Sequence, residues 1–158
     1  MPSVGVGGAD GEAADVACDG KAASNPVSTI ARGNISVDMI VQSVSEHGTT
    51  DVSFTIHEND LPAATELLTP LVKEVQAAGL ITKGGVAKLS VVGIGMRSHS
   101  GVAARLFDCL GKGGINIQLI STSEIKIAVI IDGQDADRAA QLTHQEFGLA
   151  RIRPPSAG

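Results

Sequence analysis

The chain has 158 residues, 43% of them hydrophobic, 18% charged and 2% aromatic, with a formal net charge of -5. That is enough apolar material for one ordinary domain or two small ones, which excludes wholesale disorder. With neither Trp nor Tyr and an acidic balance, the core must be aliphatic, and the stacking platforms and basic patches of nucleic-acid binders are not expected.

No apolar run reaches membrane-spanning length, and no charged-then-apolar leader opens the chain. Cys18 and Cys109 are too few for a disulfide framework. The expectation is a soluble, cytoplasmic protein without nucleic-acid or membrane partners.

In chain order, residues 1–20 are rich in Gly and Ala with almost no periodicity, which predicts a flexible or degenerate N-terminal segment. Its GVGG run has no Lys-Ser or Lys-Thr pair to close a phosphate loop. Beyond it lies an internal repeat. Ile35, Val37, Met39 and Ile40 recur as Ile115, Ile117, Leu119 and Ile120. Each set is followed by an alternating strand, Val52-Phe54-Ile56 in the first copy and Ile125-Ile127-Val129 in the second. SVSEHGTT makes the first hairpin loop, and Ser123 and Glu124 make a tighter second one.

Helices flank each hairpin. Asp60 is the expected N-cap of a helix carrying Leu61, Ala64, Leu67, Leu68, Leu71, Val72 and Val75, with Gly79 ending it. Asp135 starts its counterpart, which turns Ala139, Leu142 and Phe147 to the core. A weaker helix is expected near Ala22 to Arg32. A clearer one runs from Ser100 or Gly101 through Leu106, Cys109 and Leu110 to Gly113 and Gly114. The strand AKLSVVGIG precedes that helix, and GLITKGGV supplies a short closing strand for the first copy. The fold class is therefore α+β: two tandem ferredoxin-like βαββαβ units, antiparallel sheets with helices on one face. The expected boundaries are 21–86 for the first unit, its first strand degenerate, 87–150 for the second, and a tail at 151–158.

Candidate chemistry is sparse. Ser98, His99 and Ser100 are adjacent, so their side chains diverge, and no third residue orients them. Ser100 reads as a helix cap, and the free N–H groups behind it can hold a carboxylate. His47, His57, His99 and His144 lack metal-ligand spacing. Asp38 and Gln42 on an otherwise apolar strand, and Asn116 in the second copy, are surface positions or ligand contacts. The residues by themselves indicate a tandem binding module without catalytic or metal-ligating residues.

The words VDMIVQ, TTDVSFT, VGIGM-SH-GVAA, INI-LISTSEI and H-EFGL stand in the order found in the C-terminal regulatory region of bacterial aspartate kinase, which residues 34–149 closely resemble. That region holds two ACT domains and is made in some bacteria as a separate β subunit. The resemblance implies a feedback sensor for L-threonine, L-lysine or both, bound where ACT domains of different chains meet. Its partners would be a second copy, giving a homodimer, and a catalytic aspartate kinase subunit. ATP and magnesium would belong to a kinase domain that nothing in this sequence matches, so the chain is expected to be inactive alone. The alternative is a stand-alone amino-acid sensor, or a decayed remnant, with no kinase partner.

Residue by residue, the resemblance assigns effector contacts to Asp38 and Gln42 of VDMIVQ and to Asn116 and Ile117 of INI. Gly101, Val102, Ala103 and Ala104 match the loop-helix turn that faces the effector. Ser123 and Glu124 match positions tied to altered feedback. Ser100 stands where the family usually has Pro, and only CDGKAAS stands where the first copy normally has its glycine-rich loop. The tail ARIRPPSAG places two prolines where a closing strand would be expected.

Overall fold

The computed structural model describes residues 3–19, 24–44, 49–74, 76–93 and 101–148. His47, Ser98, His99, Ser100, most of the CDGKAAS loop and the tail at 151–158 lie outside them. In order the elements are β1 (Ser3–Asp19), α1 (Ser24–Arg32), β2 (Val37–Val44), β3 (Thr49–His57), α2 (Leu61–Glu74), β4 (Gly79–Val92), α3 (Val102–Lys112), β5 (Ile117–Thr122), β6 (Lys126–Asp132) and α4 (Ala136–Glu146). The chain divides into two units, one comprising residues 10–86, the other residues 1–9 with 87–158.

In the first unit the strand order is β2-β3-β1-β4. Residues 11–19 of β1 pair antiparallel with β3, Ala14 opposite Phe54 and Cys18 opposite Thr50. The alternating set Val52, Phe54 and Ile56 faces Ile30 of α1 and Ala64, Leu68 and Leu71 of α2. Both helices thus cover one sheet face, as period-2 strands and period-3.6 helices require.

The second unit repeats the plan, with order β5-β6-β4-β1. Leu89 and Val91 of β4 and Ile127, Val129 and Ile131 of β6 pack on Leu106 and Leu110 of α3 and Ala136 and Ala139 of α4. The repeat extends to irregularities. The register slips between Val37 and Met39 in β2 and between Ile117 and Leu119 in β5, so Asp38 and Gln118 are equivalent bulge residues. Asn34 and Gly114, eighty positions apart, both take positive φ, 57° and 70°.

Some expectations are corrected. The N-terminal segment is not a flexible leader: its backbone forms β1, divided between the units at residues 9 and 10. Gly and Ala carry little strand propensity, but antiparallel partners supply the hydrogen bonds that propensity does not. Residues 3–9 contribute a strand to the second unit, and the two-proline tail lies outside the described residues. Asp135 holds the N-cap of α4 as expected but without a side-chain cap bond, and the side-chain caps lie one turn upstream. His57 and Asp132 accept from the N–H groups of Asn59 and Gln134, because a short 3-10 turn precedes α2 and another precedes α4. Gly79 opens β4, and Ile125 is an exposed turn residue just before β6.

Thr50 is fully buried and its hydroxyl has no hydrogen-bond partner among the described residues. An unmade bond at a buried hydroxyl costs about 1–3 kcal/mol. Thr50→Val, which keeps the shape and removes the polar atom, should raise the thermal midpoint by about 2–4 °C in melts followed by circular dichroism. A lowered midpoint would mean that the hydroxyl is satisfied.

Candidate functional site

In the second unit the end of β4 meets the β5–β6 turn. Gly93, at the end of β4, donates its N–H to the Ile125 carbonyl at 2.8 Å. This places the strand leaving toward α3 beside the β5–β6 turn. Within that turn Ser123 N–H donates to the Lys126 carbonyl at 2.7 Å, and the Ser123 Oγ accepts from Ile125 N–H at 3.4 Å. Ser123 is thereby a structural pin of the turn, and Glu124 beside it is exposed.

Gly101 occupies the N-cap of α3 at φ 99° with no side-chain cap. That conformation belongs to glycine, because a Cβ would strain the backbone. Without a capping side chain, the first N–H groups of α3 lack the partner that a Ser or Asp would provide. Val102 and Ala103 are half-buried against the core, which anchors the turn, whereas Ala104 faces solvent. The turn combines anchored apolar side chains with backbone donors, an arrangement suited to a small anionic group rather than to covalent chemistry.

Asn116 and Ile117 sit elsewhere. They follow the C-terminal end of α3, about 15 Å along the helix from Gly101 at 1.5 Å per residue. Asn116 is exposed, while Ile117 lies opposite Ile131 and packs on the core. Within this unit the eleven-residue helix keeps them apart from the Gly101–Ala104 turn.

In the first unit Gln42 is exposed on β2 opposite Val52, and Asp38 is the exposed bulge residue. Ile40, opposite Phe54, is 48% exposed, and its repeat counterpart Ile120 is 46% exposed. Each unit therefore presents an isoleucine followed two residues later by a polar side chain, Gln42 in one and Thr122 in the other. Gln118, the counterpart of Asp38, was missed by the sequence reading. The eighty-residue offset is the signal that finds it.

Chemistry is otherwise quiet. Burial pushes the Cys109 thiol up, against a lowering hydrogen bond with Thr143, so it stays protonated and is a poor nucleophile. Among the described residues no three His, Cys, Asp or Glu side chains cluster as metal ligands. No described helix is long and apolar enough to cross a membrane.

Two units of this topology, the second with Gly101 leading its α3, define a tandem ACT protein, and residues 89–147 match the ACT domain family model. The chain is 48% identical to an aspartate kinase of Pseudomonas fluorescens over 120 residues, 76% of this chain and 29% of that protein. It thus spans under a third of the curated relatives it matches. Among solved structures it superposes on one of aspartokinase alpha and beta subunits with a TM-score of 0.85 and 38% identity, covering 93% of this chain and 98% of that one. The ligand-free regulatory subunit of aspartate kinase from Thermus thermophilus gives 0.83 and 31%, covering 91% and 96%. The chain belongs to the aspartate kinase family, as a regulatory ACT region.

Proposed function

We propose that this chain is the feedback-sensing part of an aspartate kinase. It binds threonine, lysine or both between ACT units of different chains, in the cytoplasm, and sets the rate at which a catalytic partner phosphorylates aspartate. The observation that carries this reading is end-to-end correspondence with chains of regulatory-subunit size. The helix-start donors behind Gly101 would take the effector's carboxylate, and Gln42, Asp38 and Asn116 would contribute oxygens or an amide toward its polar groups. Half-exposed Ile40 and Ile120 support pairing of the ACT units of two chains. A ligand held there shifts a catalytic partner by its different affinity for two arrangements. ATP and magnesium are assigned to the remainder of the kinase, outside this sequence.

The test is calorimetric titration of the purified chain with L-threonine and L-lysine, with its mass from light scattering. Saturable binding to a dimer is expected. Gln42→Ala and Asn116→Ala should each weaken it about tenfold, the worth of one hydrogen bond to a charged group, with unchanged circular dichroism. Unaltered affinity in both variants would remove these residues from the site. Co-purification of a catalytic chain supports the kinase partner, and a well-folded dimer that binds neither amino acid counts against the effector assignment.

A further inference from the structure

Arg105 lies one turn into α3, where its N–H donates to the Gly101 carbonyl at 2.9 Å. A cation near a helix N-terminus gains nothing from the helix dipole, so its place there calls for another reason. Its side chain reaches the far end of α4. Nε donates to Glu146 Oε1 at 2.9 Å, Nη2 donates to the Glu146 backbone carbonyl, and the guanidinium carbon stands 4.7 Å from the Phe147 ring centroid. One side chain thus satisfies an end carbonyl of α4, pairs with its last carboxylate and stacks on the residue that follows.

Beyond this clamp the α3–α4 contact is largely apolar, and it extends to the other end of α3. Leu142 approaches Gly113 there, and Phe147, Cys109 and Leu142 join the same cluster. The residues of this clamp are not repeated in the first unit. By the repeat offsets Asn25 stands for Arg105, and Leu71 and Val72 stand for Glu146 and Phe147.

We propose that Arg105 is a positioning residue for the ligand turn of the second unit: by gripping the end of α4 it holds the Gly101–Ala104 turn in its ligand-ready shape. This rests on the reading of that turn as effector-facing. A planar fork is required, because one ammonium cannot serve the carboxylate, the carbonyl and the ring together.

The experiment compares the wild-type chain with Arg105→Met, Arg105→Lys and Leu142→Ala, the last loosening the same helix pair away from the turn. Amide hydrogen exchange over residues 101–105 and calorimetric titration with L-threonine and L-lysine are read side by side. Arg105→Met should speed exchange at the turn at least tenfold and weaken effector binding roughly tenfold, within the usual range of site coupling. Arg105→Lys should recover little. Leu142→Ala should lower the thermal midpoint at least as much yet leave affinity within twofold of wild type. Unchanged exchange in Arg105→Met, full rescue by Lys, or equal loss of affinity in Leu142→Ala would each overturn the proposal. If the wild-type chain binds neither amino acid, the effector reading fails, and the exchange comparison still decides whether Arg105 holds the turn.

Discussion

Phe54→Ala is expected to cost about 3–5 kcal/mol, the loss typical of truncating a fully buried aromatic side chain. Phe54 is completely buried, at the centre of β3, with Ala14 of β1 on one side and Ile40 of β2 on the other. It packs among the side chains of both helices of the first unit. Domains of this size are stable by about 5–15 kcal/mol, so this one change removes about a fifth of the total or more. Urea unfolding followed by circular dichroism measures it, since the chain has no Trp or Tyr to report by fluorescence. A midpoint shift worth less than 1 kcal/mol would mean that the first unit does not pack around this ring.

The second large effect is expected at Gly113, and its cause is space rather than conformation. Its φ is an ordinary -75°, but a Cβ there would lie 2.4 Å from Leu142 Cδ1 and 3.4 Å from the carbonyls of Cys109 and Leu110. Gly33 stands in the same place in the first unit, with Leu67 Cδ1 at 2.3 Å. Gly113→Ala should therefore cost about 1–3 kcal/mol through overpacking. Combining it with Leu142→Ala should give a loss smaller than the sum of the two single losses, because the second change removes the obstructing methyl. Strict additivity in urea unfolding of the four proteins would sink the steric account.

Much of the first unit's core was legible. Val52, Phe54 and Ile56 alternate and are buried, and Ala64, Leu68 and Leu71 keep helical spacing on the face turned inward. Such patterns are local, and each element states its own inward face. Asp60 and Asp135 are good capping residues by type and stand directly before α2 and α4, and Asp135 is the N-cap of α4 but makes no side-chain cap bond. The chain instead begins each helix through a 3-10 turn closed by His57 or Asp132, and no propensity separates those two routes.

The site was less legible than the fold. The sequence pointed to Gly101–Ala104 as a turn, and its backbone geometry carries that reading further. It also joined Asn116 and Ile117 to the same set, although within the second unit the length of α3 separates them. Arg105 drew no notice, since its partners Glu146 and Phe147 lie forty-one and forty-two positions away and no periodicity links them.

By itself the sequence determined the repeat, the composition of two aliphatic cores and the antiparallel ββ hairpin in each copy. These follow from residue spacing within a few turns of chain. Tertiary structure alone decided that the Gly- and Ala-rich N-terminal segment is a strand shared between the two units, and which end of α4 grips the start of α3. Backbone pairing and a fork of guanidinium hydrogen bonds depend on partners far away in the chain, and residues distant in sequence declare themselves as partners only once the chain has folded.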